Sequence, residues 1–323
     1  MVVKLTPLYY DNIVLDGTSV MLCDHLLGFD QDGNNSVLQK LSDLSNDRKI
    51  LVSYHQILPG HVLRKYPNLD IRFNASQQIR MNFEFFDNIE ITSNFTPSNF
   101  LMTLLAHRYQ ARHLLCAALD KAGWLNLNYS CKNFGFDIND LDGYIKNNVT
   151  VDEEPYYFSR LIDQDRRQFY LDCQHDESFR VAPYDVIHQN RIFDLLPKIE
   201  KCFLQLVSET IPNSYVPFIT EKVLYSIVTK SLFLGYAQPL WHNSLKNNYG
   251  FKMYEDIFDY SFDAVLNPVK RLDTLLNTIQ PYSNMTPDEW MDIYKLTKDT
   301  REFNKHHFLS GDCYKTIQKF NNW

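Results

Sequence analysis

No apolar run in the chain approaches the roughly 18 residues a membrane-spanning helix needs, and the opening, MVVKLTPLYYDNIV, lacks the basic-then-apolar order of a secretory signal. Both absences predict a cytoplasmic protein with no membrane partner. The six cysteines, at positions 23, 116, 131, 173, 202 and 313, form no CxxC and no close pair. That scatter argues against a disulfide framework and reads them as small buried hydrophobes. His306 and His307 stand together in a polar C-terminal segment without the Cys/His spacing of a structural zinc site. Basic residues are in the minority, 32 Lys and Arg against 39 Asp and Glu, and the net charge of −7 supplies no global field for a polyanion. Any nucleic-acid contact has to be local. Internal repeats and low-complexity segments are also lacking.

What is present fits a soluble globular chain, 45% hydrophobic and 22% charged. At 323 residues it is long for one core and of comfortable size for two domains. The aromatic fraction is high, with 20 Tyr and 22 Phe, many in polar surroundings such as EEPYYFSR and RRQFYLD. Such rings either stack on sugars or bases or pack beneath long loops.

The order of patterns predicts α/β architecture. SVMLC (19–23) and KILVS (49–53) are strand-length apolar runs, each followed by a helical signal, VLQKLSDLSND and GHVLRKYP; LDIRFN and NIEITS add further strands. A second series starts near Pro97 with FLMTLL as a buried strand and ARHLLCAALDKAG as a helix ended by Gly123. LNLNYS, a polar and aromatic stretch from about 132 to 198, and the strand KCFLQLVSE follow. Next, PFITEKVLYSIVTKSLFLG reads as an amphipathic run whose inward stripe is Leu224, Ile227, Val228 and Ser231. Beyond it lie a helix over about 268–279 and a last helix at MTPDEW, with Thr286 as N-cap and Pro287 at the first helical position. Alternating strands and helices imply parallel sheets. The expected organisation is an N-terminal Rossmann-like domain (1–95), a second Rossmann-like domain (96–285) with an insertion at about 133–200, and a C-terminal helical segment (286–323). In such sheets ligands bind beyond the carboxyl ends of the strands.

Two constellations fall there. Ser208 and Glu209 follow the strand ending near Val207, then Thr220 caps a helix whose first turn holds Glu221 and Lys222. A lysine in a first turn is opposed by the helix dipole unless an anion is near. With the helix amides it can face a phosphate, while a carboxylate can accept from ribose hydroxyls. The competing reading is a capped surface helix with solvated charges. HRYQARH supplies His107, Arg108, Arg112 and His113 after the other buried strand, and arginine forks match phosphate oxygens. A diphosphate held between the two strand ends accounts for both.

The segments FITEKVLYSIV, LGY, LKNNYGFKMYEDIFDYSFD, NPVKRLDTLL and MTPDEWMDIY, with FLQLVSET and FLMTLLAHRYQARHLLCAAL upstream, resemble a family of glycosyltransferases of bacteriophages and large viruses. That family is distantly similar to the α-1,3-fucosyltransferases, whose hallmark is a Tyr-Val-Thr-Glu-Lys helix start. The resemblance covers about residues 95–309. It implies a GT-B fold, with two Rossmann-like domains facing across a cleft, a nucleoside diphosphate sugar donor (UDP- or GDP-sugar) and no metal requirement. It also implies that Glu221 binds ribose, Lys222 the donor phosphates or sugar, and Arg112 the diphosphate with Arg108 assisting. The chain departs from the family at Ala106-His107-Arg108 and Arg112-His113, where relatives carry Asn-Arg-Arg and His-Arg.

Two Asp-x-Asp triplets, Asp30-Gln31-Asp32 and Asp163-Gln164-Asp165, belong to the rival metal-dependent reading, since paired carboxylates hold Mg²⁺ or Mn²⁺ at a diphosphate. Neither follows a clear strand. The first is no EF-hand, having Asn35 and Leu41 where glycine and glutamate belong. Direct displacement needs a base for the acceptor hydroxyl, and Asp24 and His55 follow strands of the first domain; a helix cap and a bonded core histidine are the alternatives. Tyr156, Tyr157, Phe158, Arg160, Arg166, Arg167, Phe169 and Tyr170 interleave rings and guanidinium groups, which suits an extruded base and its flanking phosphates. On that pattern, and on what the resemblance implies, the expected acceptor is hydroxymethylcytosine of double-stranded phage DNA. A surface glycan, or a binding protein without turnover, are the alternatives.

Overall fold

A computed structural model of the protein describes residues 2–5, 19–22, 29–45 except 31, 50–54, 58–73, 86, 91, 93–103, 112, 114, 115, 118, 119, 122–124, 196–209, 217 and 219–318. Four short apolar runs form a parallel sheet in chain order: β1 (Val2–Leu5), β2 (Ser19–Leu22), β3 (Ile50–Tyr54) and β4 (Leu69–Phe73). Val3 lies opposite Val20, Val20 opposite Val52, and Val52 opposite Ile71. Parallel neighbours cannot be joined by a tight turn; α1 (Ser36–Leu44) and α2 (Gly60–Lys65) lie in two of the connections. Asn35 starts α1 by accepting the N–H groups of Val37 and Leu38, each at 3.0 Å, which turns Val37, Leu38 and Leu41 into a cluster with Ile50, Val52, Val62 and Leu69.

The second sheet holds β5 (Asn99–Met102), β6 (Cys202–Ser208) and β7 (Leu232–Tyr236), all parallel, with β6 central. β6 and β7 are buried along their whole length, as expected of parallel strands covered on both faces. Between them runs α3 (Glu221–Val228), and after β7 come α4 (Trp241–Asn247), a 3₁₀ turn (Ser261–Ala264), α5 (Pro268–Ser283), α6 (Pro287–Leu296), α7 (Lys298–Leu309) and α8 (Asp312–Gln318). Phe203 of β6 stacks on Trp290 of α6 and Tyr282 of α5, at centroid distances of 5.7 and 5.9 Å. The last helices also clasp the stretch before β5: Phe95 stacks on Tyr294 at 3.7 Å, and Lys305 Nζ donates to the Ile91 carbonyl at 2.8 Å. The chain is therefore mixed α/β, and among the described residues it has two parallel sheets, each with its own hydrophobic cluster.

Three sequence expectations need correction. The run from Pro217 to Gly235 is not one helical stripe: α3 stops at Val228, Lys230 turns the chain at φ 57°, and Ser231 lies outside the helix. Gly235 sits inside β7, where a Cβ would come within 2.6 Å of Trp241 Cζ3. The helix at MTPDEW has the expected start, a full Thr286–Glu289 capping box, but α7 and α8 follow it. Ile91 and Ser93 of the expected strand NIEITS are in no strand. Gly123, at φ 74°, ends the helical stretch that includes Arg112 and Leu119, as read from sequence; LNLNYS lies outside the described residues.

Candidate functional site

Because β5, β6 and β7 run parallel, their carboxyl ends share one edge of the sheet. Glu209, the first residue beyond β6, stays anchored there through its N–H, which donates to the Tyr236 carbonyl at 3.0 Å. Its carboxylate is fully buried. Oε1 accepts the Thr220 N–H at 3.1 Å, and Oε2 lies 3.8 Å from Lys222 Nζ. Thr220, in extended conformation, caps α3: its Oγ1 accepts the Lys222 N–H at 3.4 Å and the Lys222 ammonium at 3.3 Å. One carboxylate thus ties both ends of the β6–α3 connection and holds the helix's first cation.

This answers the question that Lys222 raises. A cation in a first turn works against the helix dipole, and the chain itself supplies an anion in Glu209. The solvated-surface reading does not describe the pair, because the Lys222 side chain is 11% exposed and that of Glu209 0%. Desolvating two charges consumes much of their attraction, so a buried pair is weak as a stabilising device. Next to Glu209, the Ser208 hydroxyl is buried with no hydrogen-bond partner among the described residues.

Arg112 follows β5, the strand beside β6, and is 1% exposed. An arginine in an ordinary surface helix would keep its head in water; this one points inward. The structure brings together Glu209, Thr220 and Lys222, with Arg112 on the neighbouring connection. Glu221 is the first residue of α3, and its side chain lies outside the described residues. So do Asp24, His55, Arg108, Tyr157, Arg166 and Arg167, and the triplet at Asp163. Asp30 is engaged in a local turn: Oδ1 accepts the N–H groups of Asp32 and Asn34 at 2.9 and 2.8 Å, and Oδ2 accepts from the Asn34 amide at 2.7 Å. No group of three metal-ligating side chains occurs among the described residues.

Sequence reasoning missed the polar frame around this edge. The Gly235 N–H on the outer side of β7 donates to His242 Nε2 at 2.9 Å, which leaves the ring proton on Nδ1, facing Asp263 Oδ1 at 2.8 Å. The same carboxylate accepts the N–H groups of His242 and Asn243 at 3.0 and 2.9 Å. Burial opposes the charge on Asp263, but the His242 ring and these donors outweigh it and hold the carboxyl below its ordinary range. With both ring nitrogens engaged, His242 is a structural brace rather than a free base. Arg271, also buried, donates to the carbonyls of Ala237, Val265 and Leu266 at 2.9, 2.5 and 2.9 Å and so fixes the loop after β7. Nothing in the local sequence marks these residues: His242 and Asp263 are 21 positions apart.

Compared with models of known protein families, with curated proteins and with solved structures, the chain matches none.

Proposed function

We propose that the protein is a glycosyltransferase of the GT-B type, transferring a sugar from a nucleoside diphosphate sugar to a hydroxyl acceptor. The observation that carries this reading is the buried Glu209–Lys222 pair at the carboxyl edge of a parallel sheet and the start of α3. That edge is where parallel α/β sheets take ligands, and a helix start with a cation in its first turn is suited to phosphate. The resemblance of the FITEKVLYSIV segment to phage and viral glycosyltransferases supports the same assignment. In this reading Lys222 and the first amides of α3 take charge developing on the departing diphosphate, Arg112 and Arg108 approach from the β5 side, Glu221 holds the ribose, and Thr220 and Glu209 set the geometry. Fixed donors aimed at developing charge are the largest usual contribution to such catalysis. The base for the acceptor hydroxyl is assigned to Asp24 or His55, and the acceptor to hydroxymethylcytosine in duplex DNA, with Tyr157, Arg166 and Arg167 on the nucleic acid.

The first test is a thermal-shift panel of UDP, GDP, CMP and dTDP on wild type and Lys222→Met. A nucleotide at 100 times its dissociation constant stabilises by about 2.7 kcal/mol, and the variant is expected to lose that shift. Stabilisation by none of the four, or an equal shift in the variant, overturns the assignment. The matching nucleotide sugar is then incubated with a hydroxymethylcytosine duplex and the nucleosides weighed by mass spectrometry. An unshifted mass alongside transfer to an oligosaccharide moves the acceptor to a glycan.

A further inference from the structure

A groove of about 520 Å³ lies between α5 and the helical stretch that ends at Gly123. One end of it lies away from the Glu209 site. Trp124 packs on Phe100 near the start of β5, and Tyr282, near the end of α5, packs on Phe203 near the start of β6. Glu209 is six residues beyond Phe203, or roughly 20 Å away at about 3.3 Å per residue. The Trp124 end of the groove therefore lies toward the opposite edge of the sheet, while its Asp273 end is two residues from Arg271, which donates to the Ala237 carbonyl beyond β7.

The walls differ in a consistent way. On α5, Asp273, Asn277, Gln280 and Asn284 recur at helical spacing and line the groove together, while Leu272, Leu275 and Ile279 of the same helix are buried in the core. Between Asp273 and Asn284 the polar row runs about 16 Å at 1.5 Å per residue. Across from it, Ala118 and Ala122 keep the wall low, and Trp124 closes the end. The volume falls within the roughly 300–1,000 Å³ of small-molecule sites, but those are mostly apolar, whereas the described lining sets three amides, a hydroxyl and one carboxylate beside Ala118, Ala122, Trp124 and Leu276. Among the described lining residues there is no Lys, Arg or His. Side-chain amides offer donors and acceptors side by side, matching neighbouring hydroxyls of a sugar ring. The apolar part of the described lining is Leu276, the two alanines and the ring of Trp124, and an aromatic ring can pack on the apolar face of a sugar.

We propose that this groove binds a neutral oligosaccharide along the polar face of α5, independently of the nucleotide reading. The test is calorimetric titration of the full chain with maltotriose, cellotriose and chitotriose, and with a heparin tetrasaccharide as the anionic comparison. The double variant Asn277→Ala/Gln280→Ala changes two exposed residues and is expected to keep the wild-type melting temperature. Expected is saturable binding of at least one neutral trisaccharide, weakened tenfold or more in the double variant and unchanged in Lys222→Met. Binding of none of the three, binding equal in wild type and double variant, or binding of the heparin fragment alone overturns the proposal. Because Lys222→Met leaves the polar row of α5 in place, its saccharide titration, run below its own melting temperature, distinguishes failure of one assignment from failure of the other.

Discussion

The Glu209–Lys222 pair can be separated into what it does for the fold and what it does for a ligand. At 3.8 Å, the attraction between unit charges is about 4 kcal/mol at an effective dielectric of ~20, and desolvation offsets much of it. Removing one partner of a buried pair typically costs about 3–5 kcal/mol. Glu209→Gln leaves an oxygen for the Thr220 N–H, and Lys222→Met roughly conserves volume, so each single variant chiefly removes charge. With melting temperatures moving by roughly 2–4 °C per kcal/mol in domains of 150–250 residues, each single variant should melt on the order of 10 °C below wild type. The double variant should recover part of this loss, with a coupling of roughly 0.5–3 kcal/mol. It should nevertheless fail to respond to the nucleotide that stabilises wild type. Urea unfolding of all four proteins, with and without nucleotide, supplies the readout. A double variant as unstable as the summed singles would show that the pair is not coupled; one that binds nucleotide as wild type does would remove Lys222 from the donor site.

Gly235→Ala places a methyl within 2.6 Å of Trp241 Cζ3 and should cost about 1–3 kcal/mol as an overpacked core does, read from the urea midpoint. Asn35→Ala removes the acceptor for two N–H groups of α1 and should cost about 0.5–2 kcal/mol, again by urea unfolding. Asp263 has a folded pKa below its unfolded value of about 3.9, so its stabilisation is complete above that pH and lost as the pH falls through the folded value. Asp263→Asn should therefore be less stable at neutral pH and show a flatter loss of stability below about pH 4; parallel acid-unfolding curves for the two proteins would refute this.

How much was legible in the sequence followed from how local each signal was. β3 and β6 were readable as nearly continuous apolar runs, β4 because Leu69, Ile71 and Phe73 alternate with Asp70 and Arg72, and the start of α6 because Thr286, Pro287 and Glu289 form a complete local cap. β7 was hidden because LFLGY continues the apolar pattern of α3 and the turn between them uses Lys230 at φ 57°, a position where glycine would have signalled the break. Thr220 as helix cap and Lys222 in the first turn were legible for the same local reason. The contact of Lys222 with Glu209 was not, since the two are 13 positions apart and the intervening chain must fold back before they meet. A dipole argument made from α3 alone predicts an anion near Lys222, and the end of the neighbouring strand supplies one in Glu209.

The same long-range contacts give the carboxyl edge a property that its local sequence does not display. Glu209 holds the start of α3, Arg271 holds the loop after β7 through the Ala237 carbonyl, and Asp263 holds the first amides of α4 while its partner His242 closes the outer side of β7. Each of these side chains is buried, and each fixes backbone groups on connections that leave the sheet at this edge. Binding a ligand against backbone groups already held in place avoids part of the ordering cost that mobile segments incur. It also divides the residues by the consequence of losing them. Changes at Arg271 or Asp263 should lower stability and ligand affinity together, because they act on the site only through the position of the backbone. A change at Lys222 paired with Glu209→Gln should spare much of the stability and still abolish the nucleotide response, because there the side chain itself is what the ligand meets.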